Sequence, residues 1–177
     1  MNEKTLRAES VYKGRVFDLE VLDVELDSGI RTTREIVRHK GAVAVLARLQ
    51  NGRFLLVRQY RKPVESAVVE IVAGILEEGE EPSACAAREV KEETGYNIRS
   101  LTKLGEIWPS PGYTSELLHL FYAELADVSG ESCMDEDENL EPVLLDAPAI
   151  EEMIRNGRIR DAKTISAWCM WKAGKEG

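Results

Sequence analysis

The sequence predicts an α+β fold or a helix–sheet–helix sandwich, and three observations carry that reading. The opening third patterns as β structure, one well-punctuated helix sits at mid-chain, and helical stretches close the chain after a further strand. Arg15 to Leu26 largely alternates apolar and polar residues at period two, and Asp27-Ser28-Gly29 supplies a turn. Arg31 to Arg38 gives a second mixed strand. Gly41 to Ala47 is almost continuously apolar, as a strand buried on both faces would be. Asn51-Gly52 is the strongest hairpin signal, with Phe54-Leu55-Leu56-Val57 as the return strand. The period changes at Pro82, where a helix runs to Thr94 with proline in its first turn and Gly95 at its C-cap. Leu117 to Leu125 is strand-like again, residues 127–141 are acidic and read as a flexible loop, and two helices follow from Pro148 to Lys172, divided at Asn156-Gly157.

Bulk properties narrow the class of function. The 177 residues, 44% of them hydrophobic, suffice for one core with a small appended sheet. A net charge of -9 disfavours a nucleic-acid surface, which needs clustered Lys and Arg against phosphates. It does not exclude phosphate ligands, because local arginines and cations dominate such a site. Cys85, Cys133 and Cys169 are odd in number and widely spaced, so they read as reduced thiols of a cytoplasmic protein rather than as a disulfide framework. The charged N-terminus lacks a signal-peptide core, and no apolar run approaches the roughly 18 residues of a membrane span, so a soluble protein is expected.

Within the mid-chain helix Glu89, Glu92 and Glu93 fall at i, i+3 and i+4, which places three carboxylates within one turn. Each like-charge pair costs roughly 0.2 to 0.5 kcal/mol, and a divalent cation reverses the sign of that term. Ala84, Ala87 and Val90 offer a separate apolar strip to bury. Taken alone, this helix reads first as an ordinary solvated face with Arg88 paired to Glu92.

The surrounding residues favour the metal. Gly74 to Tyr96 resembles the Nudix box, G-x5-E-x7-R-E-U-x-E-E-x-G-U with U aliphatic, and every fixed letter is present. Its one departure is Tyr96 at the final aliphatic position. The resemblance implies the Nudix α/β/α sandwich with a mixed sheet, and Mg²⁺ or Mn²⁺ as cofactor. It implies Glu89 and Glu93 as principal metal ligands and Glu92 as ligand or partner of a metal-bound water. The carbonyl of Ala73 is implied as a further ligand, and Arg88 as the residue that orients the carboxylates.

Flanking residues resemble the ADP-ribose pyrophosphatase subgroup. Val57-Arg58-Gln59-Tyr60-Arg61, Glu70-Ile71-Val72-Ala73-Gly74 and Pro109 to Glu116 match its motifs, and Pro111 lies fifteen residues past Tyr96, where the subgroup carries a marker proline. The likeness extends to a Tyr12–Phe17 strand and to the tail Gly157–Thr164. It implies hydrolysis of ADP-ribose to AMP and ribose 5-phosphate, with Arg61 and then Arg58 for phosphate, and Ser110 and Glu116 for hydroxyls of the terminal ribose. Phe17 either stacks on adenine or is a core strand residue, and both arginines could instead be exposed strand charges. The general base is expected from the acidic loop, with Glu136 first and Glu138 next, unless that loop is only a solvated charge run. His39 and His119 read as structural, and no nucleophile elbow is present.

Two rivals remain. Another sugar nucleotide, such as GDP-mannose or an ADP- or UDP-hexose, would use the same diphosphate apparatus. A non-catalytic nucleotide-sensing module would not need the intact carboxylates. Residues 1–38 form an N-terminal β extension before a Nudix domain of residues 39–177. At about 35 residues the extension is too short to be stable alone, so a homodimer is expected.

Overall fold

The structure is a computed structural model that describes residues 1–129 and 140–174. The chain divides into two compact units, Met1–Gly41 with Trp108–Leu117, and Ala42–Ile107 with Leu118–Gly177.

The first unit is an antiparallel sheet of β1 (Glu3–Lys13), β2 (Phe17–Leu26) and β3 (Arg31–His39) in that order. The alternation read along β2 places Leu22 and Val24 in its buried interior. Tyr12 to Phe17 is not one strand, as the resemblance had implied. The chain turns between β1 and β2, where the Gly14 amide donates to the Phe17 carbonyl at 3.1 Å and to Asp18 Oδ1 at 3.2 Å. The loop 108–117 joins this unit through β3. The Val37 amide donates to the Tyr113 carbonyl at 2.8 Å, and the Ser115 amide donates to the Val37 carbonyl at 3.0 Å.

The second unit is an α/β/α sandwich. Its seven-stranded sheet runs β10 (Leu140–Leu145), β5 (Phe54–Arg61), β4 (Ala42–Arg48), β9 (Leu118–Ser129), β8 (Tyr96–Ile107), with β6 (Ser66–Glu70) on β5 and β7 (Val72–Ile75) on β4. The β4–β9 pair is parallel and the other pairs are antiparallel, so the sheet is mixed. Every residue from Ala42 to Ala47 is buried, as the apolar run predicted. One face carries Ala44, Leu46, Phe54 and Leu56 against α2 (Ala147–Arg155) and α3 (Ala162–Ala173), where Phe54 meets Trp168 and Trp171 edge-on at 5.1 and 5.0 Å. The other carries Val43, Val45, Val57 and Val72 against α1 (Pro82–Thr94).

Two expectations are corrected here. The span read as a loop over 127–141 is strand at both ends, because 127–129 end β9 and 140–141 begin β10; residues 130–139 lie outside the described part. The buried strip of α1 is Cys85, Ala86, Val90, Glu93 and Thr94, whereas Ala84 and Ala87 are exposed. Steps of three residues drift around a 3.6-residue helix, while Ala86, Val90 and Glu93 stay on one side. Among the described residues no helix is long and apolar enough to cross a membrane.

Candidate active site

Local sequence sets the site helix. Pro82 occupies its first turn, and Gly95 ends it at φ 73, a left-handed backbone that favours glycine. The Gly95 amide donates to the Lys91 carbonyl at 2.9 Å, and Lys91 Nζ donates to the Gly95 carbonyl at 3.0 Å.

Arg88 is the hub of this helix. Its Nε and Nη2 donate to the two oxygens of Glu80, each at 3.0 Å, which is a bidentate pair. Its Nη1 donates to Glu89 Oε1 at 2.7 Å and to Glu92 Oε2 at 3.0 Å. One guanidinium therefore gathers three carboxylates. The hydrogen bond from Arg88 holds the Glu80 carboxyl down at about 2, against an ordinary 4.5, and the same bond first among its partners raises the Arg88 pKa. Burial pushes the Cys85 thiol beneath them up to about 12, so it is no thiolate near neutrality.

Gly74, on β7, explains why the box opens with glycine. A Cβ there would come within 1.8 Å of Glu89 Cδ and 1.9 Å of its Oε1, so only a bare α-carbon leaves that carboxylate its place. Ala73 precedes it, paired with Ala44 in the β4–β7 ladder. Glu93 lies inward at 7% exposure and Glu92 outward at 44% of its side chain. These hard oxygen donors suit Mg²⁺ or Mn²⁺. Among the described residues no three acidic, imidazole or thiol side chains are arranged to hold a metal ion as they stand, and Glu89 and Glu92 both face Arg88.

Arg61 ends β5 and its Nε donates to Glu70 Oε1 at 2.7 Å. Both line a cavity of about 740 Å³ with Arg158, Arg160, Asp161 and Lys163. Four cations face two carboxylates there, a local excess of positive charge in a chain of net charge -9. Sequence reasoning gave Glu70 and Lys163 no role, although both fall in segments that carried the resemblance. Arg58 is not among the cavity residues; its side chain is 56% exposed and stands 3.7 Å from Glu141.

In the first unit, Phe17 is half-exposed, with its ring 5.8 Å from that of Tyr12, so it is not a core residue. The Ser110 carbonyl accepts from the amides of Tyr113 and Thr114, and the Glu116 amide donates to Thr114 Oγ1 at 3.1 Å. Glu116 Oε1 lies 3.9 Å from His39 Nδ1, which also accepts from the Gly41 amide at 3.0 Å. Glu136 and Glu138 lie outside the described residues.

The NUDIX domain pattern matches residues 38–168. The chain belongs to the Nudix family. It is 45% identical over 168 residues to the ADP-ribose pyrophosphatase of Bacillus subtilis (strain 168), covering 94% of this chain and 91% of that one. It is 43% identical over 166 residues to the methanol dehydrogenase activator of Bacillus methanolicus, covering 93% and 90%. A GDP-mannose pyrophosphatase of Salmonella paratyphi B is 33% identical over 177 aligned residues, covering 91% of each chain. Among solved structures, an ADP compounds hydrolase superposes with a TM-score of 0.85 at 27% identity, covering 100% of this chain and 96% of the other.

The Nudix helix yields a pH prediction. Because the folded Glu80 carboxyl titrates at about 2 and the ordinary value is 4.5, its pair with Arg88 stabilises the fold fully above 4.5 and loses that contribution as pH falls towards 2. Thermal unfolding of Glu80→Gln should show a lower midpoint than the parent at neutral pH, with the gap closing as pH drops through that window. A gap independent of pH would contradict the ion pair.

Proposed function

We propose that the chain hydrolyses the pyrophosphate of a nucleoside diphosphate sugar, with ADP-ribose preferred and AMP and ribose 5-phosphate as products. The observation that carries this reading is the Glu89 carboxylate seated over Gly74 beside Arg88. Family members generally use divalent ions. Glu89 and Glu93 would hold Mg²⁺ or Mn²⁺ with the carbonyl of Ala73, and Glu92 would bind it directly or through a water. Such an ion supplies charge that polarises phosphoryl oxygens and lowers the pKa of water. Arg88 keeps the carboxylates gathered when they would otherwise repel. Arg61, on the rim of the cationic cavity, meets phosphate charge that the ion leaves over. Glu136, with Glu138 next, takes the proton of the attacking water.

The identity to an ADP-ribose pyrophosphatase, 45% against 33% for a GDP-mannose pyrophosphatase, favours ADP-ribose. The test is a panel of ADP-ribose, GDP-mannose and ADP- and UDP-hexoses scored by kcat/KM. ADP-ribose should lead, chelation of the metal should abolish turnover, and Glu93→Gln should cost about 100-fold or more. Better turnover of GDP-mannose would overturn the substrate; undiminished turnover by Glu93→Gln would overturn the helix role, as a mere nucleotide-sensing module predicts.

The first unit supports a homodimer. All of β1 is exposed, and Leu6, Val11, Tyr12 and Phe17 present apolar surface. Light scattering at micromolar concentration should give twice the monomer mass, and a monomer would contradict this.

A further inference from the structure

Glu70 is a charge that the proposed chemistry leaves without a task. It ends β6 at 2% exposure, and both of its oxygens are taken by cations, one from the adjacent strand β5 and one from α3. Oε1 accepts from Arg61 Nε at 2.7 Å, and Oε2 accepts from Lys163 Nζ. Lys163 also donates to Asp161 Oδ1 at 2.9 Å. Asp161 in turn caps α3, its Oδ2 accepting from the Thr164 amide at 2.9 Å and the Thr164 hydroxyl at 2.6 Å. The Ile71 amide donates to Thr164 Oγ1 at 3.0 Å, so the backbone beside Glu70 is tied to the helix that bears Lys163.

A carboxylate so withdrawn from water is tolerated only when its charge is matched, and here two cations share it. The converse is equally physical. Arg61 and Lys163 repel one another, and the carboxylate between them lets both line the same cavity. Arg61 uses only its Nε on Glu70; among the described residues its two terminal nitrogens make no hydrogen bond and remain available to a bidentate oxyanion.

We propose that Glu70 is a positioning residue, which holds Arg61 and Lys163 side by side as a preassembled cationic pair for the substrate's diphosphate. This rests on the assignment of Arg61 to phosphate. The pair is set before the ligand arrives, so binding does not have to order two long side chains. Glutamate is needed at this position because a glutamine offers one acceptor and no charge, and an aspartate is one methylene too short to reach both cations.

The test is steady-state kinetics on ADP-ribose with magnesium for the parent, Arg61→Ala, Glu70→Gln, Glu70→Asp and the double variant Arg61→Ala/Glu70→Gln. Arg61→Ala should raise KM more than it lowers kcat, with kcat/KM down by about 10- to 100-fold. Glu70→Gln should match it, and the double variant should be no more than about threefold worse than Arg61→Ala alone, since the two losses are one loss. If Glu70→Gln fails to fold, Glu70→Asp retains the charge and should still raise KM in a protein whose far-ultraviolet circular dichroism at the assay temperature is that of the parent. A parental KM in Glu70→Asp, or losses that multiply in the double variant, would overturn the inference while Arg61 keeps its role. A parental KM in Arg61→Ala would instead overturn the phosphate assignment on which the inference rests.

Discussion

One guanidinium against three carboxylates is the constraint on which the site depends. Without Arg88, Glu80 on the loop and Glu89 and Glu92 on the helix would repel, and the loop would have no charge reason to lie along the helix. With it, one positive charge stands against three negative ones, and Glu93 adds a fourth nearby in sequence. The surplus is what a divalent ion would neutralise. The same arginine thus does two opposed things: it makes the cluster tolerable, and it leaves the cluster short of positive charge.

The sheet supplies the rigidity that this balance needs. The segment Glu70-Ile71-Val72-Ala73-Gly74 alternates across it: Ile71 packs with the α2 and α3 side, and Val72 with the α1 side. Its two ends then serve different partners. Gly74 makes room for the Glu89 carboxylate, and Glu70 joins Arg61 to Lys163. A five-residue run buried at its centre connects the acidic helix to the cationic cavity within one unit, which is why the ends need little freedom of their own.

What was legible in the sequence was what local chemistry decides. Pro82 and Gly95 mark α1 to the residue, Asn51-Gly52 marks the β4–β5 turn, and the apolar run marks β4. β1, β8 and β10 were not read, because their residues are largely exposed or half-buried and their ladders with β2, β9 and β5, rather than a buried face, hold them. The Ala84–Ala87–Val90 strip held only at Val90, because steps of three residues drift around a 3.6-residue helix. The Glu70–Lys163 pair joins residues 93 apart, and no pattern along a chain predicts which distant cation a lone glutamate will meet. Its only trace was that both residues fall inside segments resembling one subgroup.

The most direct test of the account is Arg88→Lys. Lysine keeps the charge but replaces a planar fork of five donors by a point charge with three, so it cannot hold Glu80 bidentately while reaching Glu89 and Glu92. Measured on ADP-ribose at saturating magnesium, kcat/KM should fall by about 10- to 100-fold while the helical circular dichroism stays that of the parent. An Arg88→Lys protein that hydrolyses ADP-ribose at the parental rate would contradict the account, because the carboxylates would then need charge alone and not the geometry that the guanidinium gives them.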